Sequence, residues 1–539
     1  MNAWVAVTAS VALTLVLSAC SQSSPPASSA SSTPAQGASA PSSEAAAKPA
    51  TAINWFNGDV DAAFERAKAE AKPVFLYWGA EWCPPCHQLK ATVFTRPDFI
   101  EKMKLFVPVY LDGDTAGAQK WGDVFKVSGY PTLVVLRADR TELTRIVGGM
   151  DLTEYDDVLD LVLGDVRPAR AVLDALSGTS PTLSRDDCKR LAYNGWAGDD
   201  SVDEAPEKSA VALKRAADAC PAEARVEKAR LNIAATYASL MADAKLIEAG
   251  KAPSARTAKL LDEVYDVLGD ATLSAGARDV LPWLGDDYFK AEEKQNPKRA
   301  ADLLDRWTRL TDAAANDPSL PEADRIDAIA IQLKAVKALT PDHRIPPELV
   351  ADAQKKVDAA LAKDYPEHAR PGVVNSAEWV LDTVDDKERM RSLLEHEIST
   401  AKQPYYYMLD LADLDEKAGN KDAAVELLER AYRESQGTAT RFQWGTMYVM
   451  GLVRMRPEDT GGIREATLAV LNELDGPDRI YMRTTKRLDR LDSALRGWSK
   501  KGKHAETLAV IRKRMDDICS RIPEAQPARG TCNAFLTKA

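Results

Sequence analysis

The sequence predicts an α/β domain at residues 53–165 followed by an all-α region of helical hairpins at residues 183–539. Three observations carry this reading. Four short apolar runs alternate with helix-spaced apolar residues between Ile53 and Leu163, and this strand signal stops at the loop Ser177 to Thr182. Beyond the loop, Ala-, Leu-, Asp- and Lys-rich helical patterns run nearly to the C-terminus, with turns such as Thr340-Pro341-Asp342 and Gly476-Pro477-Asp478 between them. A chain of 539 residues has ample material for more than one core.

Taken in order, Val60, Ala63, Phe64 and Ala67 fall at helix spacing, and Lys72-Pro73 ends the pattern. Val74-Phe75-Leu76-Tyr77-Trp78 is a short, wholly apolar strand, and His87 to Phe94 is a helical run. Further strands read at Phe106 to Leu111, Thr132 to Leu136 and Glu142 to Val147, the last before Gly148-Gly149. A helix from Thr153 to Leu163 closes the unit, and residues 166–182 read as a connector. In the helical region, Met408, Leu411, Ala412, Gly419, Ala424, Leu428 and Ala431 have the separations of a tetratricopeptide hairpin, where small residues let two helices approach. Leu491 to Met515, turning at Gly502, is a degenerate copy, with Thr507 and Arg514 where that pattern wants alanine. The region thus resembles tetratricopeptide arrays over about 30 residues and is read elsewhere as an array of helix pairs.

Lys and Arg total 70 against 81 Asp and Glu, a formal charge of −11, so sequence-independent nucleic-acid binding has no electrostatic basis. After the first twenty positions no apolar run is long enough to span a membrane. Ala3 to Ala19 has the character of a secretory h-region, and Leu17-Ser18-Ala19-Cys20 resembles the lipobox of bacterial lipoproteins. The resemblance implies a signal peptide at 1–19, acylation of Cys20 and a lipid anchor in the cell envelope facing the periplasm. By the same resemblance Ser21 favours the outer membrane over the inner. Met1-Asn2-Ala3-Trp4 lacks the usual basic residue, and an uncleaved N-terminal anchor is the alternative. Either way the chain is exported, to where disulfides persist. From Ser21 to Ala52, 25 of 32 residues are Ser, Ala or Pro. Such a segment cannot bury enough surface to offset its ordering entropy, so residues 20–52 are expected to be a disordered tether. Its coil span would be about 30 Å.

Trp82-Cys83-Pro84-Pro85-Cys86 follows the first apolar strand and opens a helix. Two cysteines three apart at a helix start can close a short disulfide, and the first directs its sulfur at unpaired backbone N–H groups and the positive end of the helix dipole, which favours thiolate. Pro84 and Pro85 donate nothing, so the amides of Cys86 and His87 are expected to supply the hydrogen bonds; proline also stiffens a first helical turn. A structural disulfide or half a zinc site is the alternative for the pair.

With Ala80-Glu81-Trp82-Cys83-Pro84-Pro85-Cys86 and Tyr130-Pro131-Thr132 in view, residues 53–165 resemble the thioredoxin superfamily. Pro131 stands 45 residues after Cys86, where that family places a cis-proline. Val127 to Leu133 is similar to the matching stretch of protein disulfide isomerases, and the lead-in helix to thioredoxin-like domains of bacterial exported reductases. The resemblance implies that Cys83 is the exposed attacking thiol, Cys86 the buried resolving thiol, and Trp82, Pro84, Tyr130 and Pro131 the client-binding residues. One departure matters: where family members often carry a buried Asp serving the resolving thiol, this chain has Tyr77. Glu81 is then the nearest carboxylate in sequence. His87, if protonated, would help hold a Cys83 thiolate, or is a surface residue of the helix. Trp78 and Trp121 read as packing residues.

Cys188 with Cys220 and Cys519 with Cys532, 32 and 13 residues apart, are expected to form sequence-local structural disulfides. His343, His368, His396 and His504 are scattered and build no metal site. Tyr405-Tyr406-Tyr407 either belongs to the core and rim of a hairpin or lines a peptide groove. The function expected is thiol–disulfide exchange through Cys83 and Cys86 with no metal or organic cofactor, chiefly as a reductase of exported disulfide-bearing clients, with isomerase or oxidase as alternatives. A membrane or periplasmic electron donor and a protein partner on the helical region are the implied partners. A reading of another class is a helical scaffold whose α/β domain is a redox-sensitive docking module.

Overall fold

Val74–Gly79 (β1) is apolar throughout because both of its faces are covered. Val74, Leu76 and Trp78 pack on one side with Val60–Glu70 (α1) and Ala116–Val124 (α4), whereas Phe75 and Tyr77 pack on the other with Pro84–Thr92 (α2), Pro97–Met103 (α3) and Leu152–Leu163 (α5). The sheet runs in the order β2, β1, β3, β4, with Val107–Asp112 (β2) parallel to β1, Thr132–Leu136 (β3) antiparallel to β1, and Glu142–Val147 (β4) antiparallel to β3. The computed structural model describes residues 52–148, 152–164, 167–176, 182–196, 202, 205–366, 368–476, 478–502, 504–524 and 526–537. The signal-like segment 1–19, Cys20 and the tether through Thr51 lie outside the described residues, as do Gly149 and most of the loop 177–182.

Local chemistry explains the helix limits. The Asp59 carboxylate accepts from the Ala62 amide to start α1, and Ala71 turns left-handed (φ 51°) before Lys72-Pro73. α3 and α4, which periodicity did not reveal, are 7 and 9 residues long; Pro97 opens one and the Thr115 hydroxyl caps the other. Each outer strand meets a segment of its own chain. Phe56 donates its amide to Pro108 of β2 (2.7 Å), and Gly195 donates to the Arg145 carbonyl of β4 (2.8 Å). A Cβ on Gly195 would lie 2.8 Å from the Val147 amide nitrogen, so the close approach requires glycine.

The segment read as a connector is partly a packed helix. Ala169–Ala175 buries Ala169, Val172 and Leu173, and through them the apolar core of the α2/α5 face continues into Cys188, Leu191, Trp196, Leu213 and Leu231 without a break. The helical region is therefore joined to the sheet by one shared core. Disulfides link Cys188 to Cys220 (Cα–Cα 5.9 Å) and Cys519 to Cys532 (5.6 Å), each between neighbouring helices. The hairpin Pro404–Ala418 with Lys421–Glu434 turns at Gly419 (φ 85°) and buries Met408, Leu411, Ala412, Ala424, Leu428 and Ala431. Of the degenerate copy, Met482–Gly502 packs chiefly on Thr438–Met455 and Ala505–Cys519 on Thr460–Asn472, so the two helices do not close on each other as the first hairpin does.

Arg230 holds the start of the array to the α/β unit. Its side chain, 2% exposed, makes two bonds to the Asp279 carboxylate (2.5 and 2.9 Å), lies 3.4 Å from Glu154 of α5 and stacks on Tyr193 at 3.9 Å. It also donates to the carbonyls of Ala192 and Gly276. Replacing Arg230 by Ala strands the Asp279 carboxylate and two carbonyls and takes the cation from Glu154, and is expected to lower unfolding free energy by about 3 to 5 kcal/mol in urea titrations.

Candidate functional site

β1 delivers the chain through Ala80 to the start of α2, where Cys83 is the N-cap residue and Pro84 and Pro85 fill the first turn. The Cys83 sulfur accepts from the Cys86 amide at 3.3 Å. The His87 amide, expected to join it, donates instead to the Cys83 carbonyl (3.0 Å), as helix geometry demands of the fourth residue. Cys83 and Cys86 are joined as a disulfide, Cα–Cα 5.2 Å. Pro131 is buried and Tyr130–Pro131 is cis; Tyr130 packs against the two cysteines together with Trp82.

The expected exposure of Cys83 is overturned. Cys83 is 3% exposed and Cys86 0%, packed among Ala80, Trp82 and Tyr130, and the far end of the helical array lies against Trp82 and Tyr130. The Trp82 indole donates to the Thr440 hydroxyl (2.8 Å), meets Trp444 edge-on at 5.0 Å and stacks with Tyr406 at 6.3 Å. The Asp114 carboxylate accepts from both the amide and the hydroxyl of Thr440, each at 2.7 Å. The Arg483 guanidinium sits 4.0 Å from the Tyr130 ring centre and donates to the Ser128 carbonyl (2.8 Å). The Met482 amide donates to Asp123 (2.6 Å). Trp82 and Tyr130, read as client-binding residues, thus contact the chain's own helices. Pro84 is buried and Pro85 exposed.

Three residues near the dithiol have surroundings that the sequence does not reveal. Burial raises the Glu81 carboxyl, but the Lys90 ammonium at 2.6 Å outweighs it and holds the group below its ordinary value, and Tyr110 donates to the same oxygen (3.4 Å). Its charge is therefore engaged by Lys90. The Tyr77 hydroxyl is buried with no hydrogen-bond partner among the described residues, and burial pushes its pKa up, so it accepts no proton from Cys86 as a carboxylate would. His87 is not a free surface residue. Its Nε2 lies 2.6 Å from the Glu81 carbonyl and its Nδ1 2.8 Å from Nδ1 of His368, with the rings stacked at 5.0 Å. A carbonyl only accepts, so Nε2 carries the proton, Nδ1 is bare, and His368 donates. Burial lowers the His87 pKa.

Sequence reading missed Asp114, His368, Thr440, Trp444 and Arg483. Their partners across the contact lie 281 to 362 residues away, and none of the five stands in a motif. The single signal was the Tyr405 to Tyr407 run, of which Tyr406 faces Trp82 while Tyr405 and Tyr407 are core.

Residues 60–163 match the family model described as a thioredoxin-like domain. Over 101 residues the chain is 29% identical to the thiol:disulfide interchange protein DsbD of Pseudomonas fluorescens, covering 18% of this chain. The chain spans 17% of that relative's length. The α/β unit is a thioredoxin-like domain with a four-stranded sheet, followed by a predominantly helical region that the match does not reach. The domain type and a Cys-x-x-Cys pair at disulfide distance point to thiol–disulfide oxidoreductase chemistry.

Neutral His87 is the form the fold accommodates, since a proton on Nδ1 would set two N–H groups face to face. Its folded pKa lies below the unfolded value, so its contribution is complete above about pH 6.5 and declines as pH falls below that. Unfolding free energy should therefore drop between about pH 7 and about pH 5, and His87→Gln should lessen the drop, as read by urea titration at each pH.

Proposed function

We propose that this chain is an exported thiol–disulfide oxidoreductase that reduces disulfides of client proteins in the cell envelope. The observation that carries the reading is the Cys83–Cys86 pair at the N-terminus of α2, packed with Tyr130 of the cis Tyr130–Pro131 peptide in a thioredoxin-like domain. In the reduced protein the Cys83 thiolate attacks one sulfur of a client disulfide, and the client's other sulfur leaves as a thiolate. The Cys86 thiolate then attacks the Cys83 sulfur of the mixed disulfide, releasing the second client thiolate and closing Cys83–Cys86. Two electrons pass to the client, and a membrane or periplasmic dithiol donor restores the pair. The Cys86 amide on the Cys83 sulfur and the helix dipole favour the attacking thiolate. The Cys86 proton leaves through water, since Tyr77 replaces a carboxylate and Glu81 is held by Lys90.

The lipobox-like Leu17 to Cys20 supports a lipid-anchored, periplasm-facing placement, with the outer membrane preferred. A second reading, a helical scaffold with the dithiol as a redox-sensitive docking module, is favoured by the near-complete burial of Cys83.

Cys83→Ser should abolish reduction of insulin disulfides, and Cys86→Ser should accumulate mixed disulfides with clients; equal trapping by both variants would overturn the assignment of roles. The reduction potential of the pair tests direction, with a value near about −270 mV expected for a reductase and one near about −120 mV marking an oxidant.

A further inference from the structure

We propose that the start of the helix Thr438–Met455 and the first turn of Met482–Gly502 form a displaceable cover over the dithiol, which a client lifts before its disulfide reaches Cys83. The proposal rests on the oxidoreductase reading and adds its regulation.

Thiol exchange needs one sulfur to approach another along the line of the breaking bond, and a sulfur in a residue 3% exposed offers no such path. The groups that close it are those a client would need free. Trp82 is held by Thr440, Tyr406 and Trp444, and Tyr130 lies under Arg483. The cover therefore occupies the client's place.

The two attachments of the array to the α/β unit differ in kind. The first is a continuous apolar core from Phe75 to Leu260, which cannot part without exposing it. At the second, Trp82 is the one α/β residue that packs into the apolar clusters of the far helices among the described residues. The other contacts of the α/β unit with the far helices include hydrogen bonds, Asp114 with Thr440, Asp123 with Met482, Ser128 with Arg483, Gln88 with Asp324, and His87 with His368, together with the Arg483–Tyr130 and His87–His368 ring contacts and the close approach of Gly372 in the helix Arg370–Thr383 to Gln88 of α2. Polar bonds of this kind are exchanged for water at little net cost when a seam opens.

The closed seam also retains unfavourable terms that opening relieves. Arg483 and Arg487 line the same small space as Trp82 and Tyr130, and neither forms an ion pair among the described residues. Burial, and then the neighbouring Arg483, pull Arg487 down to about 9. Burial likewise raises Asp114 and Asp123 on the opposite side. An apolar weld at one end and a largely polar contact at the other is the construction of a hinged lid.

The test uses the full-length chain, reduced and freed of reductant, with N-ethylmaleimide as probe and the Cys83 adduct followed by peptide mass spectrometry. Thr440→Glu with Arg483→Glu sets a carboxylate against Asp114 and removes the cation from Tyr130, while acidic residues suit the first helical turn. Alkylation is expected to quicken by about tenfold or more in this variant; an unchanged rate in the folded variant overturns the proposal. Without any variant, Cys83 of the native chain should react at least about tenfold more slowly than glutathione at the same pH, and an equal rate overturns the cover. Insulin turnover separates the two readings. Turnover that depends on Cys83, with alkylation unaffected by the variant, keeps the oxidoreductase and rejects the cover. Quickened alkylation with no turnover in any form keeps the cover and rejects the oxidoreductase.

Discussion

The shared apolar core between the sheet and the first helices of the array is the constraint on which the rest depends. Tyr155, Val158, Leu159 and Val162 of α5 face both Phe75 and Tyr77 of β1 and the helices that carry Leu191, Leu213 and Leu231. Because α5 is sandwiched this way, the array starts at a fixed angle to the sheet, and Arg230 with Glu154 and Asp279 locks that start with charge in a dry setting. Each following helix pair packs on its predecessor, so the position of Thr440 over Trp82, far along the sequence, is set by the accumulated geometry. The dithiol is thereby controlled from a distance by the packing of residues that never touch it.

At the dithiol the electrostatics are divided between two elements. Lys90 neutralises Glu81 on α2 itself, whereas Arg483 and Arg487 come from the array. On the array-facing side Asp114 is held by hydrogen bonds from the neutral Thr440.

The sheet was legible in the sequence because β1 and β3 are buried on both faces and read as unbroken apolar runs, Val74 to Trp78 and Leu133 to Leu136. The Cys83 and Pro131 loops were legible because their chemistry is local: a spacing of three at a helix start, and a proline ahead of a strand. α3 and α4 were not, because at 7 and 9 residues they show too few turns for a period, and their caps are the stronger signal. The helix Ala169–Ala175 was passed over as a connector although Ala169, Val172 and Leu173 stand at helical spacing. The cover was illegible for another reason. Thr440 and Arg483 are ordinary helix residues until the fold brings them to Trp82 and Tyr130, and nothing in a linear pattern records a meeting of residues 358 apart.

The occupied margins of the sheet bear on how this protein behaves among its own copies. Phe56 lies along β2 and Asn194-Gly195 along β4, so the strands at both ends already have backbone partners from within the chain. Each outer strand is thus partly obstructed, and strand exchange or fibre growth that used its full length would first have to peel these segments away. Gly195 is the weak point of that obstruction, since any side chain there would push the segment off Val147. Crowding of such molecules should therefore bring helix against helix, leaving the β-sheet out of self-association.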